Sequence, residues 1–91
     1  MITALALSRA FDSGNYAAAY VTEDYERALH ECCSERSDAY RAAFTLGFFA
    51  SYERHEVPES HRDAYDAALA SDAGKRCIAA GYIDAPSEGE S

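Results

Sequence analysis

The chain has 91 residues, enough for one domain, and its 16 Asp and Glu against 8 Lys and Arg give a net charge of −8 with histidine neutral. No apolar run approaches the ~20 residues that cross a bilayer, and the start lacks the basic residues and long apolar stretch of a signal peptide. Composition therefore excludes a membrane-spanning chain, a secreted disulfide scaffold and a domain that binds nucleic acid directly through positive charge. Cys32, Cys33 and Cys77 read as reduced core thiols of a cytoplasmic protein.

Leu, Ile, Val and Phe together supply only fourteen residues, a share low enough to raise the question of disorder. Aromatics at 12% of the chain argue against it. Nineteen alanines favour helix at no side-chain entropy cost, and tyrosine and phenylalanine supply the area to bury. A core of this kind is small, so the sequence predicts that self-association, as a homodimer, contributes to stability.

The sequence predicts an all-α fold: a compact bundle of four or five short helices over residues 1–83, then a disordered acidic tail over 84–91. Ile2, Leu5, Ala6 and Ala10 mark a first helix. Asp12-Ser13-Gly14-Asn15 reads as a turn, with Asn15 capping the next helix. Ala18, Val21, Tyr25, Ala28, Leu29 and Cys32 step by threes and fours. This pattern fits one helix over 16–34 or two with a break near 22, where Thr22-Glu23-Asp24 can cap a fresh helix. A helix over 38–56 comes after it, capped by Ser37 or Asp38, with Tyr40, Phe44, Phe48 and Tyr52 as an aromatic ridge. Gly47 in mid-helix predicts the close approach of another helix. Val57-Pro58 ends this helix. Pro58 suits the first turn of the next, Ser60 with Asp63 forms a loose capping box, and Ala64, Tyr65, Ala68 and Leu69 face inward. Ser71-Asp72 opens a last helix that Gly81 stops, and Tyr82 and Ile83 fold back onto the core.

No catalytic motif is present. His30 and Cys33 lie one turn apart, and His55 and His61 flank Pro58. Neither pair has the short paired spacings of a zinc site, and no glycine-rich oxyanion turn accompanies the cysteine. The sequence thus predicts a non-enzymatic protein with no cofactor and no metal.

Charge is the remaining signal. Glu23, Arg27, Glu31 and Glu35 step by four, with Glu23 and Arg27 a favourable pair and Glu31 and Glu35 repelling each other. Asp24 stands beside them. A second group, Glu53, Glu56, Glu59, Asp63 and Asp66, runs across the Pro58 turn. Carboxylates held on rigid helices imitate the spacing of phosphates and are steered toward basic grooves. Asp24, Glu31, Glu35, Glu53, Glu56, Glu59, Asp63 and Asp66 are therefore the candidate partner-binding residues. The plainer alternative is a solvated face that keeps the chain soluble.

The segment Leu46-Gly47-Phe48-Phe49-Ala50-Ser51-Tyr52-Glu53-Arg54-His55-Glu56-Val57-Pro58, with Cys77-Ile78-Ala79-Ala80-Gly81-Tyr82 beyond it, resembles small proteins encoded by bacteriophages and mobile elements of proteobacteria. In size, acidity and lack of catalytic motifs the chain is similar to anti-CRISPR and anti-restriction proteins. Those proteins share no common motif, so no residue role is carried over. The resemblance implies an inhibitor acting in the cytoplasm of a bacterial host. It would bind a host protein or ribonucleoprotein complex with a basic groove and block nucleic-acid binding there. The alternative is an antitoxin-like or regulatory interaction module that uses an exposed aromatic patch.

Overall fold

The computed structural model describes residues 2–84, so the tail expected over 84–91 lies outside the described residues from 85 onward. Five α-helices appear in it: α1 (Ala4–Tyr16), α2 (Tyr25–Cys33), α3 (Asp38–Phe48), α4 (Glu59–Ala70) and α5 (Asp72–Ala79). A π turn over Ala17–Val21 follows α1, and a 3-10 turn over Arg54–Glu56 precedes α4.

The Thr3 hydroxyl caps α1 by accepting the Ala6 N–H at 3.1 Å. The helix then runs straight through Asp12-Ser13-Gly14-Asn15, so the expected turn and the Asn15 cap are both absent. Packing against α3 is the reason. A Cβ on Gly14 would stand 2.1 Å from the Phe44 carbonyl oxygen, and one on Gly47 would stand 2.0 Å from that of Phe11. The two glycines meet where the backbones of α1 and α3 touch, which bears out the close approach expected at Gly47. Tertiary contact here outweighs the local preference of Gly14 and Asn15 for a turn. The inward face of α1 is Leu7, Ala10, Phe11 and Gly14, while Leu5 points to solvent.

The break near residue 22 separates two helical segments, one of the two arrangements that the apolar spacing allows. The Thr22 N–H reaches back five residues to the Ala17 carbonyl at 3.0 Å, the mark of a π turn. Asp24 caps α2 through the Arg27 N–H. On α2 the buried residues are Tyr25, Ala28 and Cys33, with Leu29 and Cys32 half-buried and Val21 exposed before it.

Ser37 caps α3, accepting the Tyr40 N–H at 3.2 Å. Every residue from Ala43 to Phe49 is buried, as befits a helix enclosed on all sides. Two apolar clusters explain this. Ala43 and Leu46 pack with Leu7, Phe11, Ala68 and Cys77. Phe44, Phe48 and Phe49 pack with Ala17, Tyr25, Cys33 and Val57. Buried Thr45 is fully bonded: its hydroxyl donates to the Arg41 carbonyl at 2.9 Å and accepts the Tyr25 phenol at 2.6 Å.

α3 stops at Phe48 rather than running on to 56. The chain turns at once, and Tyr52 folds onto the edge of the Phe49 ring with centroids 5.3 Å apart. Phe49 itself sits between Tyr25 and Tyr65, at 5.1 and 6.1 Å. The turn thus places one more ring in the core than a continued helix face would hold. Tyr52 is consequently off the ridge and exposed, and Tyr40 and Leu69 are half-buried rather than buried.

Pro58, not Ser60, occupies the cap position of α4, and Ala64 faces solvent instead of the core. Ser71 caps α5 through the Gly74 N–H at 3.0 Å. Gly81 stops α5 with φ +82°. Tyr82 then lies against Phe11, centroids 5.4 Å apart, and Ile83 packs on the first cluster. Arg76 closes the bundle by donating to the Ile2 carbonyl at 2.6 Å.

Candidate functional site

The expected row Glu23–Arg27–Glu31–Glu35 is not a helix face. Glu23 precedes α2 and Glu35 follows it. Arg27 pairs with Glu31, Nε to Oε1 at 3.3 Å, rather than with Glu23. Glu35 sits in a tight turn in which Ser34 has φ −61° and ψ 132°, Glu35 has φ +71°, and the Arg36 N–H bonds the Cys33 carbonyl at 3.0 Å. That is the geometry of a type II turn. It takes Glu35 off the helix on which it would have repelled Glu31.

The second acidic group is also partly engaged. Glu56 accepts the Glu53 N–H at 2.8 Å and so caps the 3-10 turn. Asp66 takes a two-pronged bond from Arg54, at 2.9 and 2.6 Å. This pairing lowers the Asp66 carboxyl below its ordinary value. Arg62 bonds the His55 and Val57 carbonyls at 3.2 and 3.0 Å and pins the loop to α4. Glu59 and Asp63, four residues apart on α4, are exposed and make no ion pair among the described residues. Asp24, Glu31, Glu56 and Asp66 thus have local structural partners, and Glu35 belongs to a turn.

Cys33 is fully buried while His30 is exposed. Burial, with Cys32 beside it, pushes the Cys33 thiol up to about 11, the reverse of what a nucleophile requires. His55 is exposed, and His61 is half-buried against the rings of Tyr25 and Phe49, at 5.1 and 6.4 Å. Among the described residues, no three His, Cys, Asp or Glu side chains converge as a metal site would need.

A surface not singled out from the sequence lies beside the π turn. Tyr16, Tyr20 and Val21 are 62%, 78% and 50% exposed, and Tyr52 is 36% exposed. The Tyr16 and Tyr20 rings lean on each other at 5.0 Å. With Tyr52 they line a shallow open groove of about 540 Å³, together with Phe48, Asn15, Ser51 and Glu23. Ala17, the first residue of the π turn, stays in the core, while Tyr16 at the end of α1 and Tyr20 within the turn are exposed. In the sequence Tyr16 and Tyr20 stand four apart, which was the available signal. Tyr52 gave none, because its spacing assigned it to the core ridge.

No family model matches this chain, and neither curated proteins nor solved structures include a match to it.

Proposed function

We propose that the protein is a non-enzymatic protein-binding module that engages its partner through the groove walled by Tyr16, Tyr20 and Tyr52. The observation that carries this is the exposure of the Tyr16 and Tyr20 rings beside one another, at 62% and 78%, on a chain with few large apolar residues to spare. Tyrosine is a preferred anchor at interfaces, since its ring is large, amphipathic and has little entropy to lose. A π turn at the same place fits the tendency of such turns to mark functional sites.

A second reading is favoured by a separate observation, the net charge of −8. It is the anti-CRISPR-like inhibitor of a host nucleic-acid-handling complex, with carboxylates entering a basic groove. Glu59 and Asp63 are the pair most available for it.

Affinity capture from a bacterial host carrying CRISPR or restriction machinery tests both readings, with the parent chain beside Tyr16→Ser/Tyr20→Ser and Glu59→Lys/Asp63→Lys. Loss of the partner with the tyrosine variant alone supports the docking groove. Loss with the charge-reversed variant, together with steep weakening as salt rises, supports the acidic inhibitor. Equal capture by all three chains overturns both.

A further inference from the structure

We propose that the Tyr16–Tyr20–Tyr52 groove receives an arginine side chain from a basic segment of the partner protein. This rests on the reading of the groove as a protein-docking surface and names its guest. The argument is one of charge and shape. Three tyrosines line one open groove, and no lysine or arginine lines it. Glu23, Asn15 and Ser51 line it as well, and each is a residue type whose side chain can accept hydrogen bonds. A guanidinium matches both features, since it is planar, stacks on aromatic faces and carries five N–H donors in a fixed fork. An ammonium is a compact point charge that cannot stack in this way. The chain already shows the same chemistry internally, with the Arg36 guanidinium carbon 4.7 Å above the centre of the Tyr40 ring. A second copy of this chain is a poor guest, because it would bring a charge of −8 against −8.

Hexa-arginine and hexa-lysine, each titrated into the full chain, are the probes. The protein has seven tyrosines and no tryptophan, so its intrinsic fluorescence reports on the rings directly, and ring carbon–proton spectra resolve which tyrosine moves. The expected result is that hexa-arginine binds tighter and shifts Tyr16, Tyr20 and Tyr52. Tyr16→Leu and Tyr20→Leu keep apolar area and remove the ring. Each should weaken hexa-arginine by about three-fold and hexa-lysine by less, since an ammonium meets the ring without stacking on it. Glu23→Gln should weaken both, whereas Asp63→Asn should not disturb the preference for arginine. Equal binding of the two peptides, with no effect of either leucine variant, overturns the arginine guest. If Tyr16→Ser/Tyr20→Ser still abolishes capture of the cellular partner, that failure concerns the guest alone and the docking groove stands. Reversible dimerisation of the parent chain, lost in Tyr20→Leu, would make a second copy the occupant and overturn the proposal.

Discussion

Two side chains carry most of the chemistry at the scale of single residues. Burial raises the Cys33 thiol from 9.0 to about 11. Burial likewise raises Cys77, Tyr25 and Tyr65. Each of these groups is an acid held in its neutral form by the fold. Its contribution is complete below its ordinary value and is lost as pH climbs through the raised one. Stability should therefore begin to fall near pH 9 and fall further toward pH 11. Cys33 contributes up to about 3 kcal/mol of that loss. Denaturant melts of the parent and of Cys33→Ala across this range would check it, the variant showing the shallower decline. Glu35 is the other case. Its φ of +71° costs a residue with a Cβ about 1 kcal/mol or more, and its exposed side chain makes no ion pair among the described residues. Glu35→Gly should raise stability by roughly 0.5 kcal/mol, the relief of strain exceeding the entropy that glycine brings to the unfolded chain. A rise in melting temperature is the readout, and Glu35→Val should lower it.

Among the elements, the crossing of α1 and α3 matters most. Helix propensity alone would make Gly47→Ala stabilising by up to about 1 kcal/mol. The structure reverses that sign, because the new methyl would meet the Phe11 backbone, which cannot turn aside as a flexible side chain would. Gly47→Ala and Gly14→Ala should each destabilise by about 1–3 kcal/mol. They share one contact, so the double variant should cost less than the sum of the two. A double-mutant cycle in urea would show it. The loop between α3 and α4 is held differently, by Arg54 on Asp66 and Arg62 on two carbonyls. The Arg54–Asp66 pair is solvent-facing, and pairs of that kind contribute little to stability. It joins the 3-10 turn to α4.

For the whole molecule, α3 is the shared wall of two small clusters. Phe48 lies in one of them and is 1% exposed. Phe48→Ala should cost about 3–5 kcal/mol, a large part of what a domain this size has, and circular dichroism would show a chain unfolded or close to it. Electrostatics acts on the same balance from outside. With a charge of −8 and two ion pairs among the described residues, the folded chain repels itself. Its melting temperature should rise from low to physiological ionic strength as the Debye length shortens. A melting temperature that falls over that range would show that the two pairs, rather than the general repulsion, dominate.

The sequence by itself determined the helical class, the positions of α4 and α5 to within a few residues, the stop at Gly81 and the need for a close contact at Gly47, while for α2 it left open one helix over 16–34 or a fresh start within Thr22-Glu23-Asp24. These come from local rules: the period of apolar residues, the hydrogen bonds of capping side chains and the freedom of glycine at positive φ. Only the tertiary structure decided the rest. Gly14 carries the same local signal in a turn as in a tight crossing, and the presence of Gly47 opposite it is what makes α1 continuous. Tyr52 has the spacing of a core residue, yet the early end of α3 turns it outward. The carboxylates counted equally as charges in the sequence, but folding assigns Asp24 and Glu56 to caps and Asp66 to Arg54, leaving Glu59 and Asp63 without ion pairs. The groove at Tyr16, Tyr20 and Tyr52 joins residues more than thirty apart, and no periodicity within one helix brings such residues together.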